Sequence, residues 1–236
     1  MDVERSDNRR WYQGPLFPYR AGKSDITVDV TLSSWPIRGL GLAKAVLSTI
    51  REFKKTTTGR VLDFGSGSWL RYLEPIRKTL QSAEIQAVEF AEAFRGDAQE
   101  VRNTYDAHVK FWTPAEFAKK CSCLFDLIVL VNVLNTMPEE RHRREVFEAL
   151  AKHLNPLGKL LVYQRIWAQG ENPDGSHVYG DGWIVPHHSS HTYRAKTGAR
   201  WFSERVKEQG LKAVPIKTTI TSSNTLLAVW ERPFDG

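Results

Sequence analysis

Apolar and polar positions alternate in a regular order from residue 40 to the end of the chain. Leu42, Val46, Ile50 and Phe53 keep the three-to-four-residue spacing of an amphipathic helix. Short apolar runs then predict five strands, at Arg60–Phe64, Ile85–Phe90, His108–Trp112, Phe125–Leu134 and Lys159–Ile166. Helical spacing predicts helices between these strands and near the C-terminus, around Leu70–Leu80, at Ala91–Asn103, from Pro114, from Pro138 to Leu154 and near Ala199–Gln209.

This order of elements predicts the fold class. Strands that alternate with helices are typical of an α/β domain, so we expect a single doubly wound (Rossmann-like) domain with a mostly parallel seven-stranded sheet. The run Phe125–Leu134 is almost continuously apolar, as expected of a parallel strand covered on both faces. The last two predicted strands, Lys212–Ile220 and Thr225–Trp230, are too close in sequence for a crossover helix and should form an antiparallel hairpin.

Two segments have no clear period. Residues 1–39 are predicted to be an irregular lead-in that could close over a ligand as a lid; a short alternating run, Ile26–Leu32, is its one candidate strand, and Tyr12, Tyr19 and Arg20 are its candidate contacts. Residues 40–236 are predicted to form the domain itself. Within it, residues 168–195 are predicted to be a long loop, and loops of that length are usually functional or mobile.

The predicted loop is the candidate acceptor surface because it is rich in aromatic residues and histidine. Tyr179, His187 and His188 are candidate catalytic residues, since histidine can act as a base near neutral pH. His187, His188 and His191 could also be metal ligands or solvated surface residues. No Asp, Glu or Cys stands beside them at helical ligand spacing, so no metal site is predicted.

Composition and net charge exclude few classes of protein. The 236 residues suit one domain with a full core, and the net charge of +6 favours encounters with anions without naming a partner. No run approaches the ~18 apolar residues of a membrane span, and the N-terminal residues lack the pattern of a signal peptide. Cys121 and Cys123 are too close for an ordinary disulfide and too few for a zinc site, which predicts a reducing, cytoplasmic location. The oligomeric state is left open.

The stretch VLDFGSGSW, residues 61–69, has the residue pattern of a ligand-binding turn. A strand there runs into Asp63, Gly65, Ser66 and Gly67, and glycines let a backbone turn tightly and approach a ligand. The next strand ends in Glu89, 22 residues beyond Gly67, close to the spacing at which such folds hold ribose hydroxyls. A tight connection with a surface glutamate is the alternative interpretation of the same residues.

With these residues, the segment 58–166 resembles the class I S-adenosylmethionine-dependent methyltransferase superfamily. The resemblance implies S-adenosylmethionine as cofactor. Its methionine part would lie at Asp63, Gly65, Ser66 and Gly67, and its ribose at Glu89 with Phe90 alongside. Trp112 or Thr113 would border the adenine, and Asn132, at the end of the fourth strand, would face the transferred methyl group and so is also a candidate catalytic residue.

The sequence departs from the superfamily pattern in two places. Trp69 replaces the usual third glycine, and no Asp follows the third strand, where adenine is often bound. A bulky indole hinders the close approach of a phosphate to a helix N-terminus, so Trp69 weakens a nicotinamide-dinucleotide interpretation more than a sulfonium one. Whether Trp69 touches the cofactor or packs against the sheet is left open.

The acceptor is predicted to be a small molecule. The fourth strand is followed by Asn132-Val-Leu-Asn135, which lacks the Asp/Asn-Pro-Pro-aromatic tetrapeptide of the nucleic-acid amino-methylating enzymes, so a nucleic-acid partner is not expected. Two alternatives remain. One is a non-methylating enzyme of the same fold that cyclises the cofactor and releases methylthioadenosine, similar to azetidine-2-carboxylate synthases; the other is a non-catalytic binding module.

Overall fold

The computed structural model describes most of the chain. It covers residues 3–5, 8–21, 24–31, 40–54, 57, 59–67, 70, 72–94, 97–165, 175–187, 190–195, 197–217 and 225–234. These residues form thirteen strands: β1 (Val3–Arg5), β2 (Leu16–Ala21), β3 (Ser24–Asp29), β4 (Arg60–Phe64), β5 (Glu84–Val88), β6 (Val109–Trp112), β7 (Phe125–Val131), β8 (Leu154–Arg165), β9 (His177–Tyr179), β10 (Gly182–His187), β11 (Ser190–Ala195), β12 (Lys212–Ala213) and β13 (Thr225–Glu231). They also form six α-helices: α1 (Leu40–Glu52), α2 (Leu73–Thr79), α3 (Asp97–Asn103), α4 (Pro114–Lys120), α5 (Glu140–Lys152) and α6 (Ala199–Glu208).

The main sheet has seven strands in the order β12-β13-β8-β7-β4-β5-β6. Strands β8, β7, β4, β5 and β6 are parallel, and β13 runs antiparallel to both β8 and β12. Alternate residues of each central strand face opposite sides, so Val61 packs with α1 and α2 whereas Leu62 packs with α4, α5 and α6. The predicted fold class, including the antiparallel C-terminal pair, is confirmed.

Several predicted boundaries are wrong. The helix predicted over Ala91–Asn103 is a 3-10 turn at Ala91–Ala93 followed by the shorter α3. Gly96, a poor helix former, falls between the two in the sequence. Pro138 precedes α5 rather than opening it, because Glu139 is the N-cap. The strand predicted over Lys212–Ile220 is only the two residues of β12 among those described, and residues 218–220 lie outside them.

A second sheet, of six strands, is formed by the two segments that the sequence predicted to be irregular. Its order is β1-β2-β3-β11-β10-β9. The hairpin β2–β3 comes from the lead-in and the hairpin β10–β11 from the predicted loop, and a parallel contact between Val28 and His191 joins the two. The candidate strand predicted at Ile26–Leu32 overlaps β3, but the predictions that the rest of the lead-in is irregular and that residues 168–195 form a loop are wrong in secondary structure.

The second sheet stands at the carboxyl edge of the main sheet. Phe17 packs on His142 of α5, with ring centroids 5.6 Å apart. Strand β11 packs against a 3-10 turn, Leu134–Thr136, that comes directly after β7. In an open α/β sheet the ligand site lies at this edge, so the second sheet borders it. None of the helices in the described ranges is both long and apolar enough to cross a membrane.

Candidate active site

The turn after β4 is built by two glycines in the left-handed region. Gly65 has φ +73° and Gly67 has φ +72°, angles that side-chain-bearing residues rarely adopt. The Gly65 N–H donates to the carbonyl of Val88 at 2.9 Å, which ties the turn to the end of β5. A Cβ atom at Gly65 would collide with Val133, whereas one at Gly67 would meet no atom within 4 Å. The turn is therefore tight at its base and open at Gly67.

The structure brings Glu89 directly to this turn. Its Oε2 accepts a hydrogen bond from the Gly67 N–H at 2.8 Å, and its Oε1 accepts one from the Phe90 N–H at 2.8 Å. Each carboxylate oxygen has two lone pairs, so both oxygens retain acceptor capacity toward a ligand. This contact places the half-buried Glu89 at the turn, and its predicted role in holding a ribose stays a prediction.

The two acids at the turn, Asp63 and Glu89, favour a ligand that brings hydrogen-bond donors or a positive charge. Burial, and secondarily the neighbouring Glu89, raise the pKa of Asp63 to about 7. Burial also raises the pKa of Glu89 to about 7, against the effect of the two backbone N–H groups and with a further increase from Asp29 at the end of β3. A positively charged ligand would stabilise both carboxylates in their ionised forms.

Two buried oxygens of the turn have no hydrogen-bond partner in the described part of the chain, Asp63 Oδ2 and Ser66 Oγ. Buried polar atoms are nearly always paired, and unpaired ones at one place indicate a ligand or an ordered water. An amino-acid nucleoside such as S-adenosylmethionine suits these hydrogen-bond acceptors. Its ammonium and ribose hydroxyl groups are hydrogen-bond donors, whereas the turn offers carboxylate and hydroxyl oxygens beside an open Gly67.

Trp112 and Thr113 adjoin Glu89 through the backbone. The Glu89 N–H donates to the Trp112 carbonyl at 3.1 Å. The Trp112 indole N–H donates to Gln86 Oε1 at 2.7 Å, and the Thr113 hydroxyl forms a capping box with Glu116 at the start of α4. Both side chains therefore have structural partners, and their predicted contact with adenine stays a prediction.

Asn132 directly follows β7 and has φ +54°, an uncommon angle for a residue other than glycine. Its N–H donates to the Tyr163 carbonyl at 2.8 Å, and its Oδ1 accepts from the Arg165 N–H at 3.0 Å. Asn132 thus fixes the ends of β7 and β8 against each other at the site edge. Its predicted catalytic role stays a prediction.

The candidate residues of the predicted loop lie on strands of the second sheet. Tyr179 donates its hydroxyl to Glu139 Oε1 at 2.6 Å, and His187 ends β10. His191 lies on β11, where burial and secondarily His177 lower its pKa. His188 and Trp69 lie outside the described residues, so the roles predicted for them are not addressed.

The aromatic residues of the lead-in are packed into the protein. Trp11 is buried against Phe64, with ring centroids 5.9 Å apart, and Tyr12 packs on Trp11. Tyr19 is buried in the second sheet, and Arg20 is exposed with Asp25 as its ion-pair partner at 3.3 Å. These contacts hold the lead-in along α5 and the end of β4.

A polar cluster, here named the α5 clasp, binds the second sheet to α5. It consists of Tyr19, Glu139, Arg143, Tyr179, Asp181 and Tyr193. The fully buried Arg143 donates to Asp181 Oδ1 and to the Met137 carbonyl, both at 2.6 Å. Tyr193 donates to the same Asp181 oxygen at 2.9 Å, and burial raises its pKa.

The N-terminal hairpin joins the clasp through Tyr19, which donates to Glu139 Oε1 at 3.2 Å. The clasp therefore fixes both hairpins of the second sheet to the helix that follows the site edge. The sequence interpretation did not single out Glu139, Arg143 or Asp181. The available signal was the position of Arg143, which shares the apolar stripe of Val146, Phe147 and Leu150.

With this geometry established, comparison with known proteins identifies the fold. No protein-family model and no curated protein sequence matches the chain. Solved structures do match. A sugar N-methyltransferase, KedS8 from Streptoalloteichus, is 16% identical with a TM-score of 0.61, over 84% of this chain and 90% of its own. An amino pentose methyltransferase, CalS10 from Micromonospora echinaspora, bound to S-adenosylmethionine, is 16% identical with a TM-score of 0.57, over 80% of this chain and 89% of its own.

An O-methyltransferase family protein from Burkholderia thailandensis is also 16% identical, with a TM-score of 0.58 over 83% of this chain. The match spans 57% of the length of that protein. The chain therefore has the fold of the class I S-adenosylmethionine-dependent methyltransferases. The predicted resemblance is confirmed at the level of the fold.

Proposed function

We propose that the protein is an S-adenosylmethionine-dependent methyltransferase that acts on a small-molecule acceptor. The observation that carries the proposal is the 2.8 Å hydrogen bond from the Gly67 N–H to Glu89 Oε2. It joins a left-handed glycine turn to an acid at the next strand end, in a fold shared with small-molecule methyltransferases. The same fold could serve other chemistry, so the site rather than the fold supports the assignment.

The described residues suit each part of the cofactor. Glu89 would accept the ribose hydroxyls, because its oxygens retain lone pairs after binding the Gly67 and Phe90 N–H groups. Asp63 Oδ2 and Ser66 Oγ would accept donors of the methionine part. Bound there, the cofactor supplies a methyl carbon that its sulfonium sulfur already activates. The protein's contribution is then positioning and exclusion of water, and Asn132 holds the adjacent strand ends in place for it.

One observation favours a second candidate, cyclisation of the cofactor with release of methylthioadenosine. The second sheet borders the site edge, because β11 packs on the turn after β7 and Asp29 of β3 lies close enough to raise the pKa of Glu89. A site that the second sheet partly covers has less room for a second substrate, which suits a reaction of the cofactor alone. In that reaction the amino nitrogen forms a bond to the side-chain carbon, the carbon–sulfur bond breaks with its electron pair on sulfur, and one proton is lost.

Incubation with S-adenosylmethionine, alone and with a panel of small amines and alcohols, tests both candidates. S-adenosylhomocysteine that forms only with an added acceptor supports the methyltransferase. Methylthioadenosine that forms without an acceptor supports cyclisation. If neither product forms and calorimetry shows no binding of S-adenosylhomocysteine at millimolar concentration, both proposals are wrong and a non-catalytic module remains.

A matched pair of variants tests the site itself. Glu89→Ala removes a charge-assisted hydrogen-bond acceptor, so the affinity for S-adenosylhomocysteine should fall by about 10- to 100-fold. Glu92→Ala changes an exposed glutamate three residues further on and should leave the affinity unchanged. Equal affinities of the two variants in calorimetry would remove Glu89 from the site.

A further inference from the structure

Three side chains at the sheet edge that carries the turn after β4 each bury one oxygen atom that has no hydrogen-bond partner among the described residues. They are Asn135, Gln164 and Thr197, which are 5%, 1% and 3% exposed. The unpaired atoms are Asn135 Oδ1, Gln164 Oε1 and Thr197 Oγ1. The Gln164 amide orientation is fixed, because its Nε2 donates to the Thr197 carbonyl at 3.2 Å. The unpaired atom of Gln164 is therefore its acceptor oxygen.

The fold brings these three residues to the carboxyl edge of the main sheet. Gln164 is the penultimate residue of β8, next to Arg165, whose N–H is held by Asn132 of the neighbouring strand. Thr197 lies between β11 and α6. The 3-10 turn that carries Asn135 packs against both β8 and β11. All three residues thus lie at the carboxyl end of the β7–β8 pair, which is the same sheet edge as the turn after β4 because β4 is the neighbour of β7.

Unpaired buried oxygens are costly, and a folded protein that retains several at one place usually pairs them with a ligand or a water. The amide oxygens of Asn and Gln accept hydrogen bonds and cannot donate them. The Thr197 hydroxyl can donate or accept, so two of the three oxygens are acceptors only. A carboxylate or phosphate would bring acceptors against these two amide oxygens, whereas the N–H of an amine or the O–H of a hydroxyl could donate to them.

We propose that Asn135, Gln164 and Thr197 form the subsite that binds the nucleophilic group, and that this group is an amine or a hydroxyl. The proposal rests on the proposed function and names its substrate class. An amine would donate up to two N–H bonds to these oxygens and a hydroxyl its one O–H bond, and either would keep a lone pair for the electrophilic carbon. That lone pair forms the new bond to carbon as the carbon–sulfur bond breaks with its electrons on sulfur. The proton goes to solvent, because neutral amides do not accept it.

The first test is the effect of Thr197→Val on stability and turnover. Valine keeps the shape and removes an unpaired hydroxyl, so the melting temperature should rise by about 2 °C. The consumption of S-adenosylmethionine should fall at least tenfold, and the affinity for S-adenosylhomocysteine should stay unchanged. Gln164→Met, which removes the amide oxygen at similar volume, should give the same loss of turnover and the same retained affinity.

The control is Thr49→Val on α1. Thr49 is also fully buried, but its hydroxyl donates to the Ala45 carbonyl at 3.0 Å, so this substitution should lower the melting temperature and leave turnover intact. If Thr197→Val lowers the melting temperature as Thr49→Val does, or leaves turnover intact, the subsite proposal is wrong. A wild-type protein that does not bind S-adenosylhomocysteine would instead overturn the proposed function, and the stability result would still report on the hydroxyl.

The second test identifies the class and source of the nucleophile. With S-adenosylmethionine alone, a loss of methylthioadenosine formation in Thr197→Val assigns the subsite to the cofactor's own amino group. With added cyclohexylamine, cyclohexanol or cyclohexanecarboxylate, formation of S-adenosylhomocysteine with the amine or the alcohol assigns it to an external acceptor. Turnover with the carboxylate alone, or no product in any arm, contradicts the proposal.

Discussion

The turn after β4 and the α5 clasp both bury ionisable side chains at the same edge of the main sheet. In the clasp, opposite charges meet, since Arg143 binds Asp181 at 2.6 Å and also holds the Met137 carbonyl. In the turn, two acids lie together, both with the pKa raised to about 7, and Asp63 keeps an oxygen without a partner among the described residues. The difference indicates the two roles. Opposite charges that pair within the chain hold elements together, whereas two adjacent acids with no cation beside them in the described part of the chain suit a ligand that brings one.

The largest expected effect comes from breaking the clasp. Arg143→Met leaves the Met137 carbonyl without its donor and the Asp181 carboxylate, whose side chain is 40% exposed, without its cation, so the free energy of unfolding should fall by about 2 kcal/mol. The melting temperature should fall by roughly 6 °C, whereas calorimetry should show little change in the affinity for S-adenosylhomocysteine.

Arg200→Met is the control for this variant, because the Arg200 side chain is 94% exposed and pairs only across one helical turn with Glu204. Its loss should cost less than about 1 kcal/mol. Equal melting temperatures for the two variants would mean that the clasp does not stabilise the fold.

A pair of glycine substitutions separates backbone strain from ligand binding. Gly67 and Gly210 have φ +72° and +65°, and a Cβ atom at either would meet no atom within 4 Å. Alanine should therefore cost each site a similar amount, about 1 kcal/mol, in thermal unfolding. Gly67→Ala should also weaken the binding of S-adenosylhomocysteine about tenfold, because the added Cβ would occupy the open space beside Gly67 through which a ligand would approach the turn. Similar affinities of the two variants would contradict a ligand role for the turn.

The last prediction concerns the pH dependence of stability and of cofactor binding. The folded-state pKa values of Asp63 and Glu89, about 7, lie above the ordinary values of 3.8 and 4.5. Their contribution to stability is therefore full below pH ~4 and is lost as the pH rises through about 7. The melting temperature of the ligand-free protein should fall from pH 5 to pH 8, and the affinity for the cationic S-adenosylmethionine should rise over the same range. Glu89→Gln should flatten both trends, and unaltered slopes would show that Glu89 does not titrate there.

The main sheet could be predicted because its information is local. Each central strand is a short apolar run buried on both faces, and Gly65, Gly67 and Glu89 stand where parallel strands end. Their convergence follows from the direction of the strands alone. The roles of Asn132, Tyr179 and His187 depend on a ligand and stay predictions.

The second sheet could not be predicted in the same way. Its strands are short and partly polar, a proline at position 18 disfavours a strand prediction for β2, and Val28 pairs with His191 more than 160 residues away. The buried oxygens of Gln164 and Thr197 were missed for a related reason. A polar residue at a strand end has no sequence signature of burial, because burial there depends on which distant segment covers it.

The pairing of β3 with β11 has a consequence for biosynthesis. The ribosome makes the hairpin β2–β3 well before β11, the strand that pairs with β3 and lies more than 160 residues further along the chain. Until then β3 presents an open edge, which is a site for pairing with another nascent chain. Slow translation or delayed chaperone release should therefore lower the yield of this protein, and the exposed edge of β3 should contribute more to that loss than the main sheet.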